Sequence, residues 1–298
     1  MSNVNTMASH RSPMLSARGL QRVRAARIVN RVVVYGLLLL AALAFLIPLF
    51  VLLNTSFKTL EDIRQGTLVS LPVEFTVTPW YQAWAVLHGY FWNSVRMVIP
   101  AVALSTAFGA INGYVLSKWQ FRGSETFFLA LLLGCFIPFQ TILLPMSQTL
   151  GRLGLSQSVN GLILTHVVYG IPFTTLFFRN YYVGIPNAIV ESAKIDGAGF
   201  VGILVKIFLP ISGPIFVVAI IWQMTQIWND FLFGVSFAGS QSQPVTVALN
   251  NLVATTTGTT RYNVNMAAAM IAAAPTLVVY IVSGRYFVRG LTSGSVTG

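Results

Sequence analysis

The sequence has very little charge: Asp, Glu, Lys and Arg make up 8% of its 298 residues, against about a quarter in an ordinary soluble domain. So few charges cannot cover a soluble globule of this length, whereas a surface that faces lipid needs no such covering. Acidic residues are especially scarce, and the net charge is +11. Nucleic-acid binding would require a basic patch interleaved with aromatic residues on a soluble fold, so we expect no nucleic-acid partner.

Motifs of several soluble protein classes are also missing. The one cysteine, Cys135, lies in an apolar run and cannot form an intrachain disulfide. His10, His88 and His166 lack metal-ligand spacing, so we expect no metal site. The sequence has no G-x-x-x-x-G-K-[ST] loop for ATP phosphates. Residues 197–202 match G-x-G-x-x-G but follow a helical stretch instead of a buried strand, which argues against a dinucleotide site.

Six apolar runs are each long enough to cross the hydrocarbon core of a bilayer as a helix, which takes roughly 20 residues. They cover residues 32–54, 94–119, 127–146, 159–178, 207–234 and 264–288. Several runs contain proline, which a membrane bundle tolerates because neighbouring helices satisfy the freed backbone groups. The first run is too long for the apolar region of a secretory signal, so we expect it to be retained. The sequence therefore predicts an all-α integral membrane protein with six transmembrane helices.

The distribution of Lys and Arg predicts the orientation of these helices. With the N-terminus inside, the cytoplasmic side holds Arg11, Arg18, Arg22, Arg24, Arg27, Arg31, Lys118, Arg122, Arg179, Lys194, Lys206, Arg285 and Arg289. The outer side holds Lys58, Arg64, Arg96, Arg152 and Arg261. Both termini are thus predicted to be cytoplasmic. The predicted parts are a basic tail 1–31, a six-helix transmembrane domain 32–288 with outer segments 55–93 and 235–263 and a cytoplasmic loop 180–206, and a tail 289–298.

Small residues recur at every fourth position in the second run, at Ser105, Gly109, Gly113 and Ser117, and again in the sixth at Ala268 and Ala272. Such stripes let two helix backbones approach closely. We interpret both as helix-packing surfaces with no direct functional role.

The loop 180–206 contains a predicted helix–turn–helix. Pro186 can start a helix, and residues 187–195 form a short amphipathic stretch with Glu191 and Lys194 on its exposed side. Asp196 and Gly197 predict a turn, after which a second helix continues into the fifth run. Such a unit between two spans is suited to docking on a cytoplasmic partner.

The residues of this loop resemble the EAA motif of ABC importer permeases. The matching positions are Glu191, Ser192, Ala193, Asp196, Gly197, Ala198, Ile207 and Pro210, with Ser192 where the family usually has Ala. Almost the whole chain is similar to the second permease of maltose-type carbohydrate importers. This similarity is carried by LNTSFK (53–58), NSVRM (93–97), LPMSQTLGRLGLSQS (144–158), WNDFL (228–232) and the terminal YFVRGLTSGSVTG (286–298), with Thr297 where Lys is usual. The stretches PVTVALNNLVATTTG and YNVNMAAAMIAA resemble permeases for glucose or mannose.

The resemblance implies a type I ABC importer permease fold in the cytoplasmic (inner) membrane of a bacterium, surrounded by lipid. It implies that loop 180–206 forms a coupling helix seated in a groove of an ATPase subunit, with Glu191 paired to a basic group there and Gly197 allowing the turn. The implied partners are a homologous second permease, two ATPase subunits that bind ATP and Mg²⁺, and an extracytoplasmic sugar-binding protein. This chain would then carry no catalytic residues and no cofactor, and the sequence does not identify the sugar.

The fifth run has the most polar interior. Gln223, Gln226 and Asp230 fall on one helical face at i, i+3 and i+7. Trp222, Trp228 and Asn229 lie beside them. Amides and carboxylates can bind sugar hydroxyls and an indole can stack on a sugar ring, so Gln223, Gln226, Trp228, Asn229 and Asp230 are candidates for the translocation path. Hydrogen bonding between subunits near the outer face is the other interpretation.

Two other function classes, a secondary transporter and a membrane enzyme, make different demands on the residues of the bundle. An ion-coupled secondary sugar transporter working alone would need paired acidic groups near mid-membrane, and only Asp230, toward the outer end of its run, qualifies. A membrane enzyme would need a cluster of nucleophile, base or metal ligands in the bundle. We interpret His166 as a hydrogen-bonded interior residue instead of a proton relay. The importer permease is therefore the favoured prediction.

Overall fold

The computed structural model describes residues 17–67, 69–254 and 260–293, with side chains described between residues 28 and 283 of these ranges. His10, Arg11 and Thr297 lie outside the described residues, as do the side chains of Arg18, Arg22, Arg24, Arg27, Arg285 and Arg289. The chain divides into two units, 1–52 and 53–298. Helix α1 (Ala17–Ser56) lies in the first unit as far as residue 52 and continues through Pro48.

Every element of the second unit, within the described ranges, is helical. The helices are α2 (Leu60–Gln65), α3 (Thr78–Lys118), α4 (Ser124–Cys135), α5 (Phe139–Arg152), α6 (Val159–Val183), α7 (Asn187–Ile195), α8 (Phe200–Ile203), a π-helical turn (Leu204–Phe208), α9 (Leu209–Ile211), α10 (Gly213–Trp228), α11 (Leu232–Phe237), α12 (Val245–Ala254) and α13 (Tyr262–Ser293).

Four helical stretches in the described part of the chain are long and apolar enough to cross a membrane alone: Ile28–Ser56, Thr78–Lys118, Val159–Val183 and Tyr262–Ser283. Two bent helix pairs bring the number to six if each pair is one span. Ser124–Cys135 meets Phe139–Arg152 at 102°, and Phe200–Ile211 meets Gly213–Trp228 at 76°. The third and fifth runs, each expected to be one continuous helix, are therefore broken.

Proline lies next to both breaks. Pro138 stands immediately before α5, and Pro214 is in the first turn of α10, where its missing N–H costs no helical hydrogen bond. Pro100, Pro172 and Pro275, in contrast, lie inside continuous helices. A proline alone therefore does not decide whether a membrane helix breaks, because packing of the neighbouring helices can hold it straight.

Helix α3 begins at Thr78, well before the apolar run predicted from residue 94. Its first turns are amphipathic: Ala83 and Leu87 are buried, whereas Tyr81 and Trp84 are exposed. An amphipathic stretch lowers the average hydropathy without ending the helix, so the outer segment 55–93 is partly helical and only residues 57–77 connect α1 to α3, including the short α2.

The centre of the second unit is a tight contact between α3 and α6, which run parallel. A Cβ atom added to Gly113 would lie 2.6 Å from Phe178 Cβ and 2.7 Å from the Arg179 backbone nitrogen. One turn earlier, Gly109 faces Thr174, whose hydroxyl donates to the Ser105 carbonyl at 2.8 Å. The predicted packing role of the small-residue stripe is confirmed, as is that of Ala268 and Ala272, which are buried in the core.

Contacts define two ends of this unit. At the end named here the α7 end, Lys118 of α3 donates to the Ile185 carbonyl beyond α6. At the opposite end, the α12 end, Ser94 of α3 accepts the Val245 N–H at the start of α12. The two predicted functional regions lie toward opposite ends.

Candidate functional site

Helix α7 forms over Asn187–Ile195, the stretch predicted to be amphipathic. Val190 and Ala193 are buried, whereas Glu191 and Lys194 are exposed, as predicted. Ser192 and Asp196 share the exposed side, and Ile195 is 86% exposed. Within the part of the chain that the structure describes, no group binds the Glu191 carboxylate. The helix therefore presents an acidic and apolar surface away from the bundle.

The predicted turn after α7 is a Schellman motif. Gly197 has φ +82°, a left-handed conformation that favours glycine because a Cβ atom would be strained there. Its N–H donates to the Lys194 carbonyl at 3.0 Å, and the Ala198 N–H donates to the Ala193 carbonyl at 2.9 Å. These bonds satisfy the last carbonyls of α7 and fix the direction in which the chain returns toward α8.

Polar contacts hold α7 to the end of α3. Lys118 Nζ lies 2.8 Å from Asn187 Oδ1. Lys194 Nζ lies 4.2 Å above the Trp119 ring, a cation–π contact. The Tyr114 hydroxyl donates to the Phe200 carbonyl at 3.1 Å, which secures the start of α8. Both flanks of the turn are thus fixed to α3.

An apolar cluster, named here the α7 core, lies beneath this helix. It contains Ala110, Tyr114, Phe178, Tyr182, Val190, Ala193, Ile203, Leu204, Phe208 and Ala219. Ile207 and Ala198 pack against its edge. The cluster joins α7 to α3, α6, α8 and α10. Packed interiors transmit strain, so this cluster is a physical contact between α7 and those four helices.

The segment after α8 is adapted to Pro210. Proline has no N–H and its ring clashes with the carbonyl four residues earlier, and a π-helical turn at Leu204–Phe208 widens the helix at that place. At the following bend the Ser212 hydroxyl donates to Tyr182 Oη at 2.9 Å, and Tyr181 Oη donates to the Ile211 carbonyl at 2.7 Å. Two adjacent tyrosines of α6 therefore stabilise the bend between α9 and α10.

A cavity of about 370 Å³ lies in the half of the unit toward the α12 end. Its walls come from α5, α6, α10 and the turn into α11. They consist of Phe139, His166, Tyr169, Gly170, Phe173, Trp222, Gln223, Gln226, Ile227, Asn229, Asp230, Phe231, Leu232 and Phe233. Aromatic rings and amide or carboxylate groups thus face the same space, the mixture typical of sites for small polar molecules.

Four of the five predicted path residues lie on this wall, but they differ in availability. Gln226 and Asn229 are exposed to the cavity, and Asn229 Nδ2 donates to the Thr225 carbonyl, which leaves its Oδ1 as an acceptor. Gln223 is buried and its Nε2 donates to Ser105 Oγ at 2.8 Å, so it also ties α10 to α3. Trp228 lies away from the cavity: it is buried and its indole N–H donates to the Ala272 carbonyl at 2.9 Å.

Asp230 combines a structural and an electrostatic role. Its carboxylate accepts the backbone N–H groups of Phe233 and Gly234, at 3.3 and 3.1 Å, and so caps the start of α11. His166 Nε2 lies 3.7 Å from Asp230 Oδ2 and, among the described residues, has no hydrogen-bond partner. The interpretation of His166 as hydrogen-bonded is therefore wrong, since only a longer approach to a carboxylate is present.

Sequence reasoning missed the aromatic part of the wall. Tyr169 and Phe173 lie three and seven residues after His166 on one face of α6. Tyr169 Oη donates to the Ile137 carbonyl at 3.2 Å, which satisfies a backbone group freed by the break between α4 and α5. Phe173 packs on Trp222 at 4.7 Å between ring centroids. Helical spacing from His166 was the signal that would have found these residues.

Within the described residues, no group of three His, Cys, Asp or Glu side chains is arranged to hold a metal ion. The two regions are an exposed helix face at the α7 end and a polar cavity toward the other end, with the α7 core and the α9–α10 bend between them.

Comparison with known proteins gives relatives over nearly the whole chain. It is 40% identical over 271 residues to a probable ABC transporter permease protein of Pyrococcus horikoshii, covering 90% of this chain and 98% of that protein. It is 35% identical over 286 residues to the xylose/arabinose import permease protein XacI of Haloferax volcanii, covering 88% and 92%. It is 32% identical over 257 residues to the arabinooligosaccharides transport system permease protein AraQ of Halalkalibacterium halodurans, covering 84% and 91%.

The fold matches that of a chain in the crystal structure of a bacterial ABC transporter involved in the import of the acidic polysaccharide alginate. The TM-score is 0.77 at 23% identity, over 93% of this chain and all of the other. Residues 105–292, which include α7 and the whole wall of the cavity, match a family of membrane transport components rather than enzymes, as the sequence predicted. The chain belongs to the family of binding-protein-dependent transport system inner membrane components.

Proposed function

We propose that this chain is a permease subunit of an ATP-driven sugar importer. The similarity to permeases named for xylose/arabinose and for arabinooligosaccharides supports a carbohydrate substrate. The cavity supports it too, because Gln226, Asn229 and Asp230 offer amide and carboxylate groups for hydroxyls beside aromatic rings. The site for tight sugar binding belongs either to this cavity or to the second permease.

We further propose that each bent pair is one span, which gives six spans with both termini in the cytoplasm. The excess of Lys and Arg at the α7 end and in the two tails supports this orientation. The proposed parts are a tail 1–31, the permease domain 32–288 and a tail 289–298, in the cytoplasmic (inner) membrane of a bacterium.

The proposed partners are a homologous second permease, two ATPase subunits that bind ATP and Mg²⁺, and an extracytoplasmic sugar-binding protein. The observation that carries the coupling proposal is α7: Glu191 on its exposed face has no partner among the described residues, and its buried face belongs to the α7 core. We assign ATPase contact to Glu191, Ser192, Ala193, Asp196, Gly197 and Ala198. Ile207 and Pro210 act further inward, where they pack and shape the segment toward the α9–α10 bend.

In the proposed cycle, ATP binding closes the ATPase subunits and moves α7. Because α7 shares a core with α3, α6 and α10, these helices move with it, and the bend near Ser212 is where α10 can change its angle. Gln226 and Asn229 lie at the far end of α10, next to the cavity. ATP sets the direction of the cycle, because its binding favours one conformation of the ATPase dimer over the other.

The cavity proposal predicts the behaviour of Gln226→Leu. Gln226 is exposed to the cavity and no hydrogen bond within the described residues holds it, so its loss removes a group available to substrate. One hydrogen bond contributes about 0.5–1.5 kcal/mol, so ATP-driven uptake in proteoliposomes is expected to fall about two- to tenfold, with the complex intact. Gln120→Leu, the same change in the connection between α3 and α4, is the control. Equal uptake by the two variants would contradict the assignment.

The function itself is tested with the tagged wild-type chain. We expect it to co-purify from detergent with an ATPase and a second permease. The complex in proteoliposomes should import a radiolabelled pentose, hexose or short oligosaccharide only when ATP and the binding protein are present. A chain that purifies alone and moves sugar with an ion gradient would instead be a secondary transporter.

A further inference from the structure

The segment NSVRM at 93–97 contains an arginine that has no role in the proposed ATPase contact or in the proposed translocation path. Asn93 Nδ2 donates to the carbonyls of Gln241 and Gln243, at 2.7 and 3.2 Å, so it holds the segment before α12 against α3. Ser94 is buried and accepts the Val245 N–H at 2.8 Å. Arg96 follows them, is exposed, and has no hydrogen-bond or ion-pair partner among the described residues.

The position of Arg96 along α3 places it at the edge of the bilayer core. At 1.5 Å per residue, Arg96 lies roughly 33 Å from Lys118 at the other end of the helix, close to the hydrocarbon thickness of about 30 Å. Trp92 lies one turn beyond Arg96 and is also exposed. An exposed cation with tryptophan beside it is typical of the level of lipid headgroups.

Two neighbouring depressions lie along α3 at this level and below it. A polar depression of about 390 Å³ is lined by Tyr90, Trp92, Asn93, Arg96, Ser240 and Gln241. An apolar groove of about 520 Å³ runs from Phe91 and Val95 along α3 to Ala107, with its other wall formed largely by α10. Ile99 and Ala103, three and seven residues after Arg96, line this groove on the same face of the helix.

We propose that these two depressions form one binding site for an anionic phospholipid of the outer leaflet. The Arg96 guanidinium binds the phosphate, because it lines the polar depression, has no partner among the described residues, and matches phosphate geometry. One acyl chain lies in the apolar groove. The groove extends roughly 16 Å from the level of Arg96 to Ala107, which is about the depth of one leaflet.

The lining of the two depressions changes once from charged to apolar along the membrane normal. For this reason a lipid fits them better than a protein segment would. Phospholipids have this order of groups, with the phosphate at the interface and the chain toward the centre. The assignment depends on membrane embedding and on Arg96 facing the outer leaflet, and it is independent of which substrate the importer carries.

The test is native mass spectrometry of the intact importer complex after detergent extraction, with phosphatidylglycerol or phosphatidylcholine added. The wild type is expected to retain phosphatidylglycerol in preference to phosphatidylcholine. Arg96→Gln should weaken phosphatidylglycerol retention about fivefold, the effect of one basic residue near a membrane surface. Arg64→Gln, which removes an exposed cation of α2 outside either depression, is the control and should leave retention unchanged. Ala103→Phe, which fills the groove and keeps Arg96, should also lower retention.

Two results would overturn the proposal. Equal retention by Arg96→Gln and Arg64→Gln would show that Arg96 does not hold the lipid. A cysteine introduced at Ile99 that crosslinks in membranes to the second permease, together with no lipid preference, would show that a protein helix covers the groove. Lipid retention that is lost in Arg96→Gln while sugar uptake persists would support the site independently of the transport function.

Discussion

Gly113→Ala is expected to lower the melting temperature of the purified protein by about 6–12 °C. The added methyl group would lie 2.6–2.9 Å from Phe178 Cβ, the Arg179 nitrogen and the Phe178 carbonyl carbon, two of which are backbone atoms that cannot rotate away. Overpacking of a rigid contact costs about 3 kcal/mol, and 1 kcal/mol corresponds to about 2–4 °C in a chain of this size. A thermal unfolding scan in one detergent measures the shift.

Gly89→Ala is the matched control on the same helix. A Cβ atom at Gly89 would meet nothing within 4 Å, and alanine favours helix over glycine by up to about 1 kcal/mol. The control should melt at the wild-type temperature or slightly above it. If Gly113→Ala melts with the control, α3 and α6 are not in the contact described for residues 105–113 and 174–178.

Glu191→Arg is expected to abolish association with the ATPase and, with it, ATP-driven uptake. Glu191 is exposed on α7 and has no partner within the described residues, so its reversal should leave the permease folded. Removing one partner of a charge pair at an interface costs about 2–5 kcal/mol, which weakens binding at least about thirtyfold, and the reversal adds repulsion. Co-purification from detergent and proteoliposome uptake measure the two effects.

Glu74→Arg makes the same charge reversal at an exposed position before α3, on the side of the unit away from α7. It should retain both the ATPase and uptake. Glu191→Gln should fall between the wild type and Glu191→Arg, because it loses the charge without adding repulsion. Retention of the ATPase by Glu191→Arg at the wild-type level would refute the coupling role of this residue.

The sequence was most informative where one local rule decided the structure. Helix α7 follows from amphipathic spacing after Pro186, and the turn at Gly197 follows from the conformational freedom of glycine. The packing of α3 on α6 follows from the spacing of Gly109 and Gly113. In each case the signal lies within a few residues and does not depend on distant parts of the chain.

Prediction failed where distant contacts decide the outcome. The two helix breaks lie at Pro138 and at Ser212, at or beside proline. Other helices also contain proline and do not break, so the sequence does not distinguish the two cases. Tyr169, Tyr181 and Tyr182 stabilise the broken backbone from another helix, which hydropathy cannot reveal. Sequence position likewise could not show that Trp228, predicted for the translocation path, lies away from the cavity, with its indole N–H bound to the Ala272 carbonyl on α13.

The parallel pairing of α3 with α6 also constrains biosynthesis. The hydrogen bond between Ser105 and Thr174 joins residues 69 positions apart, with the bent α4–α5 segment between them. At about 5–20 residues per second, α3 leaves the ribosome roughly 3–14 s before its partner is synthesised. During that interval its small-residue face is without α6. Early insertion intermediates of this chain should therefore be the species most in need of protection by the membrane-insertion machinery.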